Sequence, residues 1–237
     1  MTQDLKIIGL LGGMSWESTR TYYNHLNTII RDQMGGLHSA RVMLNSVDFA
    51  PLEEMMRSGD WAQIERTLIS EAARLEAGGA EAVLLCTNTM HKVAPQLEAA
   101  LGIRFFHIAD CLGASLQAKG VRKVGLLGTR FTMIEDFYSK RLAEKFGIET
   151  LIPDIDEITT IDRIIFEELC VGKVKEVSRK AYLAIMDKLA RRGAESIALA
   201  CTEIEMLITP ADTELPLEDT TFLHAETAAR WSMEHGA

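Results

Sequence analysis

The sequence lacks the usual marks of a secreted, membrane-spanning or zinc-binding protein. Its 237 residues include only five prolines and four cysteines, and no two cysteines have the CxxC spacing. Neither a zinc site nor a disulfide framework is therefore expected. The apolar run at residues 7–11 is too short for a signal-peptide core or a membrane span. We expect a cytoplasmic protein with free thiols and no membrane partner.

Positive charge is also scarce. The chain has 25 Lys and Arg residues against 34 Asp and Glu residues, which gives a formal net charge of −9. A surface of this sign does not attract phosphate backbones, so nucleic acid is not an expected partner. An acidic small substrate would have to be held by local groups, because the overall field repels it.

What the sequence does contain is an alternation of short apolar runs and longer amphipathic segments. Residues 61–77 and 177–191 have apolar side chains at spacings of three and four, which predicts helices. Continuous apolar strands separated by helices are typical of a parallel α/β sheet that is buried on both faces. The predicted strands lie at residues 7–11, 42–47, 82–86, 105–109, 124–127, 150–152 and 197–201.

Two motifs occur twice and in the same order. KIIGLLG at residues 6–12 returns as KVGLLG at 123–128, and GAEAVLLCTN at 79–88 returns as GAESIALACT at 193–202. The two offsets, 116 and 114 residues, are nearly equal. A repeat of this kind predicts two similar α/β halves.

The repeat pairs Thr87 with Cys201, and Cys86 with Ala200. Thr87 and Cys201 each follow the third strand of their half, and ligands bind outside the carboxyl ends of strands in open α/β sheets. If the halves face one another, both side chains would point into one cleft. Cys86 has the opposite strand parity to Thr87 and is predicted to point into the core.

The neighbours of these two positions are polar. Cys201 precedes a predicted helix start, whose amide groups are expected to lower the pKa of the thiol. Thr87 is followed by Asn88 and Thr89, so it either belongs to a site or caps the next helix. The spacing of the other titratable residues indicates no carboxylate pair and no metal-ligand set.

The glycine-rich loops that follow the first strand of each half have neither P-loop nor GxGxxG spacing, so nucleotide binding is not indicated. The backbone amides of residues 13–15, and those of Gly128 and Thr129, are instead predicted to cradle a carboxylate. His91 and His224 are the histidines expected nearest the cleft, and each is open to a structural or a functional role.

Several motifs together resemble those of the aspartate/glutamate racemases, which are cofactor-independent amino-acid racemases. The resemblance covers nearly the whole chain. It is greatest to the enterobacterial branch that acts on L-aspartate and L-glutamate, in which a Thr replaces the first catalytic Cys. The motifs are IGLLGGMSWEST at 8–19, CTNTMHK at 86–92, LLGTR at 126–130, ACTE at 200–203 and HA at 224–225.

The resemblance implies an α/β fold of two pseudo-symmetric, Rossmann-like parallel-sheet domains with the active site between them. The first domain would comprise residues 1–105 together with 210–237, and the second residues 106–209. The resemblance also implies a homodimer, a small amino-acid substrate, no cofactor (in particular no pyridoxal phosphate) and no metal.

By the same resemblance, Thr87 and Cys201 are the catalytic residues, one on each face of the substrate Cα. Two features depart from the family pattern. Residues 46–51 lack the basic residue that many members carry after the second strand, and Cys170 stands where a lysine is expected, with Lys173 just beyond it. The residue that holds the side-chain carboxylate is therefore not assigned. The expected substrate-binding residues are Met14, Ser15, Asn88, Thr89, Gly128, Thr129, Thr202 and Lys173.

The implied reaction is racemisation of L-aspartate or L-glutamate. One proton leaves Cα and another arrives on the opposite face, so a base and an acid are needed on opposite sides. A thiol can be tuned into a base, whereas a Thr hydroxyl is a far weaker acid and a poor base. Two alternatives stay open: a single-cysteine relative such as an arylmalonate decarboxylase, and a two-lobed small-ligand-binding protein.

Overall fold

The computed structural model describes residues 5–234, which divide into two compact units. The first unit runs to His107 and resumes at His224, and the second is Ile108–Leu223. The sequence-based boundaries place residues 210–223 in the first domain. Here they belong to the second unit, because the strand Leu217–Asp219 pairs with the sheet of that unit. The outer ends of the predicted first domain, residues 1–4 and 235–237, lie outside the described residues.

The first unit is built on a four-stranded parallel sheet of order β2-β1-β3-β4. Every residue of β1 and β3 is buried, as expected for central strands covered on both faces. The strands are β1 (Ile8–Gly12), β2 (Val42–Ser46), β3 (Ala82–Leu85) and β4 (Arg104–Phe106). The helices are α1 (Trp16–Met34), α2 (Phe49–Ser58), α3 (Trp61–Ala77) and α4 (Ala94–Ala100), with a 3-10 helix at Thr89–Val93.

The second unit repeats this plan with the order β6-β5-β7-β8, again all parallel. Its strands are β5 (Lys123–Gly128), β6 (Glu149–Leu151), β7 (Ser196–Ala200) and β8 (Leu217–Asp219). Its helices are α5 (Ile108–Ala118), α6 (Arg130–Ile134), α7 (Asp136–Phe146), α8 (Ile155–Glu167) and α9 (Glu176–Arg191), with 3-10 helices at Leu169–Val171 and Thr202–Met206. The last helix, α10 (Thr220–Met233), begins in the second unit and continues in the first. The prediction of two similar parallel α/β halves is confirmed.

The same glycine conformation opens the repeated motif in both units. Gly79 has a φ of 101° and Gly193 a φ of 99°, and each turns the chain from a helix towards the next central strand. At Gly193 a Cβ would lie 3.7 Å from the nearest atom, so the backbone angle rather than crowding favours glycine there. The repeat seen in the sequence is therefore a repeat of backbone geometry.

The core of the first unit joins α1, the central strands and α10. Tyr22, Leu26 and Ile30 lie about one turn apart on α1 and are fully buried, and α10 adds Ala225 and Ala228 to the same cluster. Burying one such large side chain contributes roughly 1.5–3 kcal/mol. Within residues 5–234, none of the helices combines the length and the hydropathy needed to cross a membrane.

Candidate active site

In the first unit, the loops after β1 and β3 lie side by side at one edge of the sheet. The two strands are parallel neighbours with Leu11 opposite Leu85, so their carboxyl ends meet there. The structure therefore brings together five of the predicted site residues of this unit: Met14, Ser15, Thr87, Asn88 and Thr89.

The loop after β1 is held by hydroxyl groups. Ser15 caps α1, and its Oγ accepts from the N–H of Ser18 at 3.3 Å and lies 3.2 Å from the Ser18 Oγ. The N–H of Gly13 donates to the Thr19 Oγ1 at 2.8 Å. The predicted amide cradle is therefore wrong for Gly13, because a side chain six residues away takes its N–H. The binding roles of Met14 and Ser15 stay predictions.

The loop after β5 in the second unit is also held by a pair of hydroxyl groups. Thr129 caps α6, its Oγ1 accepts from the N–H of Thr132 at 3.4 Å, and the two Oγ1 atoms lie 3.2 Å apart. Ser15 and Thr129 are 114 residues apart, and so are Ser18 and Thr132. The internal repeat thus extends to a pair of capping hydroxyls.

Gly128 sets how closely β5 approaches the loop that carries Cys201. A Cβ at Gly128 would lie 2.8 Å from the Ala200 carbonyl oxygen, a contact that real side chains do not make. Gly128 is also in register with Ala200, the residue before Cys201. Gly128 and Thr129 are therefore placed beside Cys201 and Thr202, as the sequence predicts for the carboxyl ends of neighbouring strands.

Cys86 and Thr87 have the opposite environments that strand parity predicts. Cys86 is fully buried in the core of the first unit, and burial raises the pKa of its thiol. Thr87 is half-buried, and Asn88 occupies the N-cap position of the following 3-10 helix without a side-chain capping hydrogen bond. Thr87 itself is therefore not the cap residue, and its role in the site stays a prediction.

Cys201 is buried at the end of β7 beside a carboxylate. Its Sγ–H donates to the Glu203 Oε2 at 3.0 Å, and the Thr202 hydroxyl donates to the same oxygen at 3.1 Å. Burial raises the pKa of the Cys201 thiol well above its usual range, and the Glu203 carboxylate raises it further. The Glu203 backbone amide does lower this pKa, as predicted, but the predicted net lowering is wrong, because loss of water and the neighbouring negative charge outweigh the amide.

Sequence reasoning did not single out Glu203 as a site residue. A glutamate in the first turn of a helix is ordinary, since it favours the positive end of the helix dipole. The signal that could have found it is the spacing Cys-x-Glu after a buried strand. In this turn it places the Glu203 carboxylate within hydrogen-bond reach of the Cys201 Sγ.

Glu205 and Asp219 form a carboxyl pair that spacing did not indicate. Burial raises the pKa of Glu205 to about 8, and the facing Asp219 carboxyl raises it too. The Asp219 Oδ1 accepts from the N–H groups of Thr221 and Phe222 at 2.9 and 3.0 Å, so this side chain caps α10. Asp219 therefore serves as the helix cap, and the proton of Glu205 lies in a hydrogen bond between the two carboxyl groups.

Lys173 lies in an exposed loop that a buried carboxylate organises. The Glu168 side chain accepts from the Ser178 Oγ at 2.6 Å and pairs with Arg163 and Lys175. The Ser178 hydrogen bond, followed by these cations, lowers the pKa of Glu168. The N–H of Lys173 donates to the Glu168 carbonyl at 2.8 Å. The structure fixes the Lys173 backbone, and the binding role of its side chain stays a prediction.

His224 has a structural role in the first unit. Its Nε2–H donates to the Phe106 carbonyl at 2.8 Å, so its Nδ1 accepts from the Tyr22 hydroxyl at 2.8 Å. Burial lowers the pKa of His224 to about 4, which keeps the ring neutral. His91 is also fully buried, and its Nδ1 lies 2.7 Å from the Thr87 carbonyl oxygen.

Replacing Glu203 by glutamine should lower the pKa of the Cys201 thiol. The carboxylate places a negative charge beside Sγ and accepts its proton in a hydrogen bond, and both effects favour the protonated thiol. Glutamine keeps the shape without the charge, so the thiolate should form at lower pH. Ultraviolet titration of thiolate absorbance measures this shift.

Cys201→Ala provides the baseline for that titration, because subtracting its curve removes the signals of the other three cysteines. The difference curve of Glu203→Gln should lie at lower pH than that of the wild type. An unchanged curve, or one at higher pH, would contradict the role of the Glu203 charge.

The chain is similar in sequence and in structure to proteins of one racemase family. The family profile described as Asp/Glu/hydantoin racemase matches residues 11–228. The structure of a proposed Asp/Glu racemase from Yersinia pestis shares 46% identity and a TM-score of 0.92, covering 97% of this chain and all of that one. An aspartate racemase homologue from Pyrococcus horikoshii shares 31% identity and a TM-score of 0.83, covering 97% of this chain and all of that one.

A third structure, of the Picrophilus torridus aspartate racemase, shares 19% identity and a TM-score of 0.76. It covers 96% of this chain and 94% of that one. At this identity the likeness shows the fold alone.

Proposed function

Because this chain belongs to the Asp/Glu/hydantoin racemase family and is an amino-acid racemase, we propose that it racemises aspartate or glutamate with Cys201 and Thr87 as its two proton-transfer groups. The names of the Yersinia and Pyrococcus relatives support an acidic amino acid as substrate. In this proposal both groups come from the chain itself, and neither pyridoxal phosphate nor a metal takes part.

The observation that carries the proposal is the thiol–carboxylate pair at the end of β7. The Cys201 Sγ lies 3.0 Å from the Glu203 Oε2, so the carboxylate can take the thiol proton when Cys201 becomes a thiolate. The raised pKa means that the resting thiol is protonated and the thiolate is a strong base once formed. The substrate ammonium group would favour the thiolate by its positive charge.

Thr87 supplies the proton on the other face in this scheme. It occupies the position of the repeat that corresponds to Cys201, at the carboxyl end of β3. Its hydroxyl is a weak acid, but a carbanion next to a carboxylate is a strong enough base to take a proton from it. Solvent water then protonates the Thr87 alkoxide, and Glu203 releases to solvent the proton that it took from the thiol, so that each group returns to its starting state. Asn88, Thr89, Ser15, Thr129 and Thr202 would stabilise the charge that develops on the α-carboxylate.

The proposal is tested by incubating L-aspartate and L-glutamate separately with the protein in D₂O. Proton NMR follows loss of the α-proton, and a chiral assay follows formation of the D-isomer. We expect α-proton loss with at least one substrate, followed by the D-isomer carrying deuterium at Cα. Loss of the proton precedes inversion, so exchange is detectable even where net racemisation is slow.

The alternatives give different results in the same preparation. Release of CO₂ from an arylmalonate without exchange of either amino acid would favour the decarboxylase alternative. Binding of an amino acid without any exchange would favour the ligand-binding alternative. The proposal also keeps a homodimer and a cytoplasmic location, which mass measurement in solution and cell fractionation would test.

A further inference from the structure

The imidazole rings of three histidines pack together beside the loop that carries Thr87. His91 and His224 are fully buried and His107 is nearly so. The ring centroid of His91 lies 4.7 Å from that of His107 and 5.8 Å from that of His224. Burying imidazoles costs more than burying apolar side chains of the same size, unless their polar atoms are hydrogen-bonded. The atoms they bond therefore indicate what the cluster does.

The bond made by His91 ends on Thr87. A carbonyl oxygen can only accept, so the His91 Nδ1 carries a proton and donates it to the Thr87 carbonyl at 2.7 Å. The N–H of Thr87 donates to the Leu85 carbonyl at 2.8 Å. Both peptide groups that flank the Thr87 Cα are thus held, and with them the direction of its Cα–Cβ bond.

The His91 ring is itself held in place. Its centroid lies 5.8 Å from that of Phe105, and the His107 and His224 rings contact it as well. The His224 ring is fixed in turn by hydrogen bonds to Tyr22 and to the Phe106 carbonyl. A donor packed in this way cannot swing away from the Thr87 carbonyl without opening the core.

The second unit holds the corresponding residue differently. The Cys201 carbonyl accepts from the backbone N–H of Ile204 at 3.1 Å, and Glu205 occupies the repeat position of His91. The side-chain donor is thus a feature of the Thr87 half. It bonds the backbone of the residue that has the harder proton transfer, because a weak acid must be well aligned to deliver a proton.

We propose that His91 is a positioning residue, which holds the Thr87 carbonyl through Nδ1–H and thereby aims the Thr87 hydroxyl at the substrate Cα. This inference rests on the proposed function. Its effect should fall on proton delivery by Thr87 and spare proton removal by Cys201. A misplacement of about 1 Å can cost about 100-fold in rate.

The test uses two amide variants of His91 that differ in how far the amide group lies from the backbone. The Nδ2 of asparagine in His91→Asn can occupy the place of the imidazole Nδ1, whereas the amide in His91→Gln reaches the place of Nε2. His91→Leu removes the donor altogether. Each protein is given L-aspartate and L-glutamate in D₂O, and two quantities are measured: deuterium in the recovered L-isomer and the amount of D-isomer formed.

We expect the ratio of D-isomer formed to L-isomer deuterated to fall about 10- to 100-fold in His91→Gln and His91→Leu. Total α-proton exchange should change little, because Cys201 is untouched. His91→Asn should keep the wild-type ratio. Tyr22→Phe is the matched control: it removes one hydrogen bond from the same buried cluster, while the bond from His224 to the Phe106 carbonyl still holds the His224 ring. It should therefore lower the melting temperature and leave the ratio unchanged.

A ratio that is unchanged in His91→Gln and His91→Leu would overturn the inference. So would an equal loss of both quantities, which indicates a general structural role. If His91→Leu fails to fold, the two amide variants decide, and failure of both to fold also overturns it. Absence of exchange in the wild type would instead overturn the proposed function, and this inference with it.

Discussion

Cys201→Ala should reduce α-proton exchange from the L-substrate by about 10²- to 10⁴-fold, the range that a positioned acid or base contributes. The thiol is the base that meets the L-isomer in the proposed mechanism, and alanine can neither take nor return a proton. The same D₂O experiment measures the loss. Because Cys201 lies at the end of a strand and its side chain is small, the variant should still fold, which circular dichroism can verify.

The other three cysteines are the controls for this variant. Cys111→Ala and Cys170→Ala should keep most of the exchange activity. Cys86→Ala is the sharpest control, because Cys86 is next to Thr87 in sequence but lies in the core. It should cost roughly 1–2 kcal/mol of stability and keep its activity. Full activity in Cys201→Ala, or loss of activity in a folded Cys86→Ala, would refute the assignment.

Thr87→Cys should raise kcat for the D-isomer about tenfold or more. The D-isomer presents its α-proton to Thr87, whose alkoxide is scarcely accessible near neutral pH, so the wild type should turn over D-substrate slowly. A thiol at this position is a much better base. Initial rates with L- and D-aspartate, and with L- and D-glutamate, measure the change.

Thermodynamics determines which kinetic constants of the wild type can differ between the L- and D-isomers. The two enantiomers have equal free energy, so kcat/KM must be the same in both directions, and kcat and KM must differ together.

Thr87→Ser keeps a hydroxyl and should not raise the D-isomer rate. Thr87→Val has nearly the same shape without the hydroxyl, so it should stop inversion while exchange from the L-isomer continues. Equal wild-type kcat for both enantiomers would mean that Thr87 is not one of the two groups, and Cys86 would be reconsidered first.

The regular part of the fold could be predicted because it depends on patterns that a sequence displays directly. The buried central strands appear as unbroken apolar runs, and the repeated GAE and GLLG motifs mark equivalent turns. β8 was not among the predicted strands because it reads Leu217-Glu218-Asp219, which resembles a loop. Glu218 is buried there because Lys119 pairs with its carboxylate at 2.8 Å. A contact so distant in sequence is not visible in a local pattern.

The candidate site, like the fold, could be predicted from the sequence only in part. Thr87 and Cys201 could be located from strand ends and the repeat, since these depend on backbone periodicity. The state of the Cys201 thiol could not, because it depends on where the Glu203 carboxylate lies relative to Sγ. The engagement of the Gly13 amide by the Thr19 hydroxyl is likewise a side-chain detail. The positions of these two residues follow from the sequence pattern, whereas the protonation state of the thiol depends on side-chain contacts.

The helix α10 has a consequence for how the chain must fold as it is made. Ala225, Ala228 and Ala229 complete the core of the first unit, and the Lys6 N–H donates to the Ser232 carbonyl at 3.0 Å. The ribosome therefore makes β1 to β4, then the entire second unit, before the helix that closes the first core exists. At about 5–20 residues per second, the first unit waits for several seconds with an open face. The second unit, which is continuous in sequence, has no such delay and can be complete first. A chaperone that shields nascent apolar surface would thus meet the amino-terminal half of this chain, although that half emerges earlier.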